Sequence, residues 1–152
     1  VEVWNDAKRP HALRAAVEHA IADLQSDYVD LLLLHWPNAW KPGTREADPE
    51  ATLSATWDTM ASLVADGLVR QLGVANFGLK TIEKDFLDGA VAHKPVCNMV
   101  ELHPWLAQRK LVGTLLRKVC KLVLSCVYPS CPKQSFCLHQ DSEIAAFVAF
   151  CW

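Results

Sequence analysis

Three short stretches hold the residues whose types could do chemistry. "DYVDLLLLHWP", Asp27 to Pro37, runs through four leucines and then brings a histidine, a tryptophan and a proline together. "GVANF" sets Asn76 just after an apolar run, and "VELHPW" sets Glu101, His103 and Trp105 at alternate positions. An imidazole is the side chain whose charge changes near neutral pH, which makes His35 the first functional candidate. A lone histidine after a strand is usually structural, satisfied by a backbone carbonyl. Here His35, Trp36, Asn76, Glu101, His103 and Trp105 all fall at or just after apolar runs, and that convergence favours a site. Glu101 and His103 read as an acid–base pair, as ligands, or, the preferred reading, as groups that cap and hydrogen-bond a strand end.

The elements that must position these residues alternate. Apolar residues at Leu13, Val17, Ile21 and Leu24 have helical spacing, behind a Pro10 suited to a first turn. Tyr28 to Leu34 is a strand with apolar side chains on both faces after Asp30, as in a parallel sheet covered by helices. Asn38 to Glu50 carries Pro42, Gly43 and Pro49 and reads as a loop. A second helix bears Leu53, Trp57, Met60 and Val64 on one stripe and ends at Gly67. Strands follow at Leu68 to Phe77, Pro95 to Pro104 and Leu122 to Val127, and Val1 to Trp4 reads as the end of another. A short helix over "LKTIEKDFLDGA" and another over "QRKLVGTLLRKVC" separate the later strands. Strand and helix in turn specify parallel βα units, either a doubly wound sheet or part of a (β/α)8 barrel. No G-x-G-x-x-G follows any strand, which weakens the dinucleotide-binding doubly wound reading.

Composition bounds the setting. The 152 residues suit one domain, and 51% hydrophobic with 21% charged residues describe a globular chain. A net charge of −2 gives no broad basic surface for nucleic acid. No apolar run reaches the roughly 18 residues of a membrane span, and no signal peptide opens the chain. It begins on Val1 rather than methionine, which allows sequence upstream. The six cysteines crowd the second half; Cys131, Cys137 and His139 match no zinc spacing, so no metal is expected and the thiols read as reduced, in a cytoplasmic protein. His11, His19 and His93 read as solvated. "IAAFVAFCW" at the end is a short apolar stretch, buried or an exposed liability.

"DYVDLLLLHWP", "TMASLVADGLVRQLGVANF" and "KPVCNMVELHPWLAQRKL" resemble three successive signatures of the aldo-keto reductases, and "VWNDAKRPHALRAAVEHAIADLQ" resembles the segment before them. The resemblance runs from about Val3 to about Ser125. It implies a partial (β/α)8 TIM barrel, about strands three to seven, with a parallel sheet and outer helices. It also implies NADPH-dependent reduction of a small-molecule aldehyde or ketone to an alcohol. A tyrosine whose pKa is lowered by a lysine, itself paired with an aspartate, protonates the carbonyl oxygen in that family. By the same resemblance His35 orients the substrate carbonyl, Trp36 lines the substrate pocket, and Asn76 holds the nicotinamide carboxamide.

Departures accompany the likeness. The family's lysine position is Glu2, and a carboxylate there raises a neighbouring phenol's pKa rather than lowering it. The serine before Asn76 is Ala75, the glutamine after Asn98 is Met99, and the tyrosine that stacks on nicotinamide falls at Val127, with Tyr128 one residue on. The matching tyrosine and aspartate, and the basic segment that grips the 2′-phosphate, are not among these residues. The expectation is therefore a barrel-like region over 1–127, with an unrelated tail over 128–152 for which disorder is one reading. A truncated product, an aberrant transcript and a pseudoenzyme all share this pattern. Turnover is not expected, and self-association through open strand edges is.

Overall fold

Parallel pairing organises the molecule. The computed structural model describes residues 1–102, 105–118 and 121–125, and of 116–118 and 121–125 the backbone alone. Its strands are β1 (Glu2–Val3), β2 (Val29–His35), β3 (Val69–Ala75), β4 (Cys97–Glu101) and β5 (Lys121–Ser125). They form one sheet in the order β1-β2-β3-β4-β5, every pair parallel. Parallel neighbours need crossovers. These are supplied by α1 (Pro10–Asp23), α2 (Leu53–Ala65), α3 (Leu79–Thr81) with a π-helical turn over Ile82–Leu87, and α4 (Arg109–Lys118). A doubly wound sheet reverses its strand order at a switch point. Here the order runs on without reversal, as in an arc of a barrel.

Local chemistry sets the helix ends. Pro10 occupies the first turn of α1, as expected. Thr52 caps α2 by accepting from the Ala55 N–H at 3.2 Å. Gly67, at φ 78°, closes it: its N–H donates to Val64 O at 3.0 Å and the next N–H to Leu63 O at 3.1 Å. The end of α1 has the same pair of bonds, Gln25 to Ala22 and Ser26 to Ile21, but with Gln25 at φ 50°. The α2 stripe is centred one residue from its expected place, with Trp57, Met60 and Leu63 buried and Leu53 and Val64 flanking them.

The expected helix over "LKTIEKDFLDGA" differs. Only three residues are α-helical before the turn widens, with Asp88 N–H reaching Glu83 O at 2.8 Å. The wider turn buries Ile82 and Phe86, and Phe86 meets Trp57 at 4.7 Å, ring to ring. The strand expected over Pro95 to Pro104 is β4 alone. His103 and Pro104 lie outside the described residues, as do Val119, every cysteine except Cys97, His139, and the tail from Val127 to Trp152. Exposed His11, His19 and His93 match expectation.

Strand alternation separates two faces. Leu32, Leu34, Leu72, Val74 and Val100 join the core with Leu13, Val17, Trp57 and Met60 of the helices. Leu31, Leu33, His35, Gln71, Gly73, Ala75, Cys97 and Met99 alternate onto the other face. Gly73 is required there. A Cβ at that position would lie 2.6 Å from both Cys97 Sγ and Leu33 Cδ2. Among the described residues no helix is long and apolar enough to cross a membrane.

Candidate active site

Register brings the candidates into one row. His35 pairs with Ala75, and Ala75 with Met99, across β2, β3 and β4. The backbone then repeats one step on neighbouring strands. Trp36 N–H donates to Ala75 O at 2.9 Å, and Asn76 N–H to Met99 O at 2.8 Å. Both residues are left-handed, Trp36 at φ 58° and Asn76 at φ 62°. Such a conformation is uncommon for a bulky side chain, so Trp36 marks a place where surrounding contacts hold the backbone.

His35 sits among aromatics. Its ring stacks on Trp4 with centroids 4.5 Å apart and planes at 20°, and meets Trp36 edge-on at 6.1 Å. Trp4 in turn meets Trp40 edge-on at 6.5 Å. Burial lowers the His35 pKa below its usual value; Glu2 opposes that shift and Lys8 adds to it. The imidazole is thus neutral near pH 7. Its Nδ1 is buried without a hydrogen-bond partner, and so is Oδ1 of the buried Asn5.

Two loops form the surrounding rim. Lys8, 2% exposed, donates from Nζ to the carbonyl oxygens of Trp36 and Asn38. Burial pushes its pKa down to about 8. Arg9 grips Asp48 through Nε at 2.7 Å and Nη2 at 3.2 Å, and reaches Glu50 at 2.9 Å. That guanidinium holds the Asp48 carboxyl below the usual carboxylate range. Trp40 N–H donates to Asn5 O at 2.8 Å. The loop between β2 and α2 is therefore tied to the segment between β1 and α1.

Across the sheet, Asn98 is fully buried. Its Nδ2 donates to Phe77 O at 2.8 Å and its Oδ1 accepts from Phe77 N–H at 3.4 Å, fixing the residue after Asn76. The Asn76 side-chain amide makes no hydrogen bond among the described residues. Glu101 is exposed, and its carbonyl accepts from Gln108 Nε2 at 2.6 Å. Val127 and Tyr128 lie outside the described residues. No group of three or more His, Cys, Asp or Glu among the described residues could hold a metal ion.

Sequence reading passed over Lys8, Trp40 and Asn98. A lysine before a helix reads as solvated, and its burial follows from a loop some 30 residues away. Asn98 carried a signal, an amide inside an apolar strand.

A sequence model of the aldo/keto reductase family matches residues 1–124. The chain belongs to that family. Human aldo-keto reductase family 1 member C2 is 38% identical over 121 residues, which cover 73% of this chain and 37% of that protein. Mouse aldo-keto reductase family 1 member C21 is 38% identical over 120 residues, with the same coverage. Among solved structures, the aldose reductase of Giardia lamblia superposes with a TM-score of 0.74 at 30% identity, covering 81% of this chain and 43% of that one. This aldo/keto reductase chain spans little more than a third of the length of those curated relatives. Its sheet and outer helices are a partial (β/α)8 barrel.

Proposed function

We propose that this chain carries the carbonyl-facing rim of an NADPH-dependent oxidoreductase that reduces aldehydes or ketones to alcohols. A polypeptide of these 152 residues does not turn over by itself. The observation that carries the first part is the neutral His35 ring, stacked on Trp4, edge-on to Trp36, with a buried and unpartnered Nδ1. A buried N–H without a partner is rarer than an unpaired acceptor, which puts the ring proton on Nε2. Nε2–H is then the donor that orients a carbonyl oxygen, while Trp36 bounds the substrate.

The cofactor side is less complete. In this reading Asn76 holds the nicotinamide carboxamide, and Ala75, Met99 and Val127 are the other cofactor-facing positions. A methyl and a thioether offer little hydrogen bonding where each good bond contributes about 0.5–1.5 kcal/mol. Glu2 stands where the reaction needs a cation. Asn76 alone is not expected to hold NADPH measurably, and no hydride step is assigned to these residues. A second reading rests on that same Glu2: a non-catalytic partial barrel that binds a partner or itself through strand edges. The reading keeps 1–127 as the barrel region, 128–152 as a separate tail, and a cytoplasmic setting.

The test is NADPH consumption with a panel of aldehydes and ketones. No rate above background is expected from these 152 residues, with or without Glu2→Lys. Measurable turnover would overturn the proposal of inactivity, whereas loss of carbonyl-ligand binding on His35→Ala supports the rim assignment.

A further inference from the structure

A buried amine with no carboxylate beside it is expensive to keep, because desolvation disfavours its charge. Lys8 is such a group. Its Nζ is spent on two main-chain carbonyls, those of Trp36 and Asn38, which flank Pro37 immediately after His35. An apolar side chain in its place would leave both oxygens short of a donor. Trp36 is also the left-handed residue of the rim, at φ 58°. Its N–H is fixed by Ala75 O and its C=O by Lys8.

Lys8 is itself held on a firm base. Thr56 Oγ1 of α2 lies 3.1 Å from its carbonyl, sharing its one hydrogen with Thr52 O at 2.9 Å, and the adjacent Arg9 is forked onto Asp48. We propose that Lys8 is a positioning residue for His35: through the Trp36 and Asn38 carbonyls it fixes the backbone that presents the imidazole. This rests on the reading of His35 as the carbonyl-orienting ring. Its test needs neither turnover nor NADPH, so either reading can fail without the other.

The charges around the ring are few. Glu2 of β1 and Lys8 are the described groups that act on His35. Next to Lys8 in the chain, Arg9 is taken up by Asp48 and Glu50. A pH profile of His35 therefore reports on Lys8 with one opposing carboxylate.

The experiment is carbethoxylation by diethyl pyrocarbonate, resolved by peptide mass spectrometry on the full chain at high dilution. Neutral imidazole attacks a carbonyl of the reagent and expels ethyl carbonate, so rate against pH gives the midpoint and the plateau gives access. In the unsubstituted chain His35 should react severalfold more slowly than exposed His11 and His19, with its own midpoint below the ordinary imidazole value. Lys8→Met should bring its plateau up to theirs and move its midpoint upward. Lys8→Gln keeps two N–H donors without the charge; it should retain the slow plateau and move the midpoint alone. Slow alkylation of buried Cys97 shows in each case that the sheet is intact. If Lys8→Met loses that protection, Lys8→Gln decides. Unchanged His35 kinetics in the folded variants would overturn the proposal. So would a His35 that already reacts like the exposed histidines in the unsubstituted chain.

Discussion

The two faces of the sheet are built on different terms. On the helix side, Leu32, Leu34, Leu72, Val74 and Val100 are buried in one core with Leu13, Val17 and Met60 of α1 and α2, and Trp57 and Phe86 meet ring to ring in the same layer. On the other side, Gly73, Leu33 and Cys97 interlock, but Leu31 and Met99 are only partly buried and Gln71 is exposed. A closed barrel fills that interior with stacked layers of side chains. Among the described residues the helix side is thus closed by α1, α2 and the π-helical turn, and the interior side is covered only in part. The rim lies on the interior side, so its order depends on local clamps such as Lys8 and Asn98 more than on packing.

Substitutions should separate the faces. Leu34→Ala on the helix side is expected to cost about 2–5 kcal/mol, since a fully buried leucine leaves a cavity. Leu31→Ala on the interior side should cost less, about 1–2 kcal/mol, because part of its surface already meets water and no closed cavity is left. Pulse proteolysis in urea at high dilution measures both, and equal costs would erase the distinction.

Gly73→Ala tests the one tight point of the interior side. The new methyl clashes with Cys97 Sγ and Leu33 Cδ2, and overpacking of this kind costs about 1–3 kcal/mol. Leu33→Ala in the same chain should recover part of the loss, read as coupling in a double-mutant cycle.

Lys8 gives a pH-dependent effect. Its folded pKa is about 8 and its ordinary value 10.5. Between those values the unfolded chain holds a proton that the folded one has released, so stability rises with pH across that window. The gain is on the order of 3 kcal/mol, and well below pH 8 this group adds no slope. Lys8→Met should flatten the rise in alkaline urea titrations. His35 has the same sign in a lower window. Its depressed pKa makes stability fall as pH drops through 6.5 and below, and His35→Phe should remove that limb.

What could be read in advance follows the same division. Strand β2 was legible because an uninterrupted apolar run needs cover on both faces, and the end of α2 because Gly67 accepts a positive φ. The end of α1 was not, since Gln25 adopts the same turn without a glycine to mark it. The π-helical turn at Ile82–Leu87 was missed because periodicity registers which residues are buried, not how wide the turn is. Among the site residues, His35, Trp36 and Asn76 stood out at strand ends. Lys8 did not, because its environment is made by Trp36 and Asn38, and no local pattern announces a contact between two loops.

The most direct test compares the faces in one sample. Among the described residues the helix side is closed and the interior side is not, so the measurement is made on a polypeptide of these 152 residues, purified and heated while light scattering reports its mass. It should self-associate with concentration and melt over a broad, concentration-dependent range. A monodisperse monomer with one sharp cooperative transition would contradict the account, and would mean that the interior side is filled from within the chain.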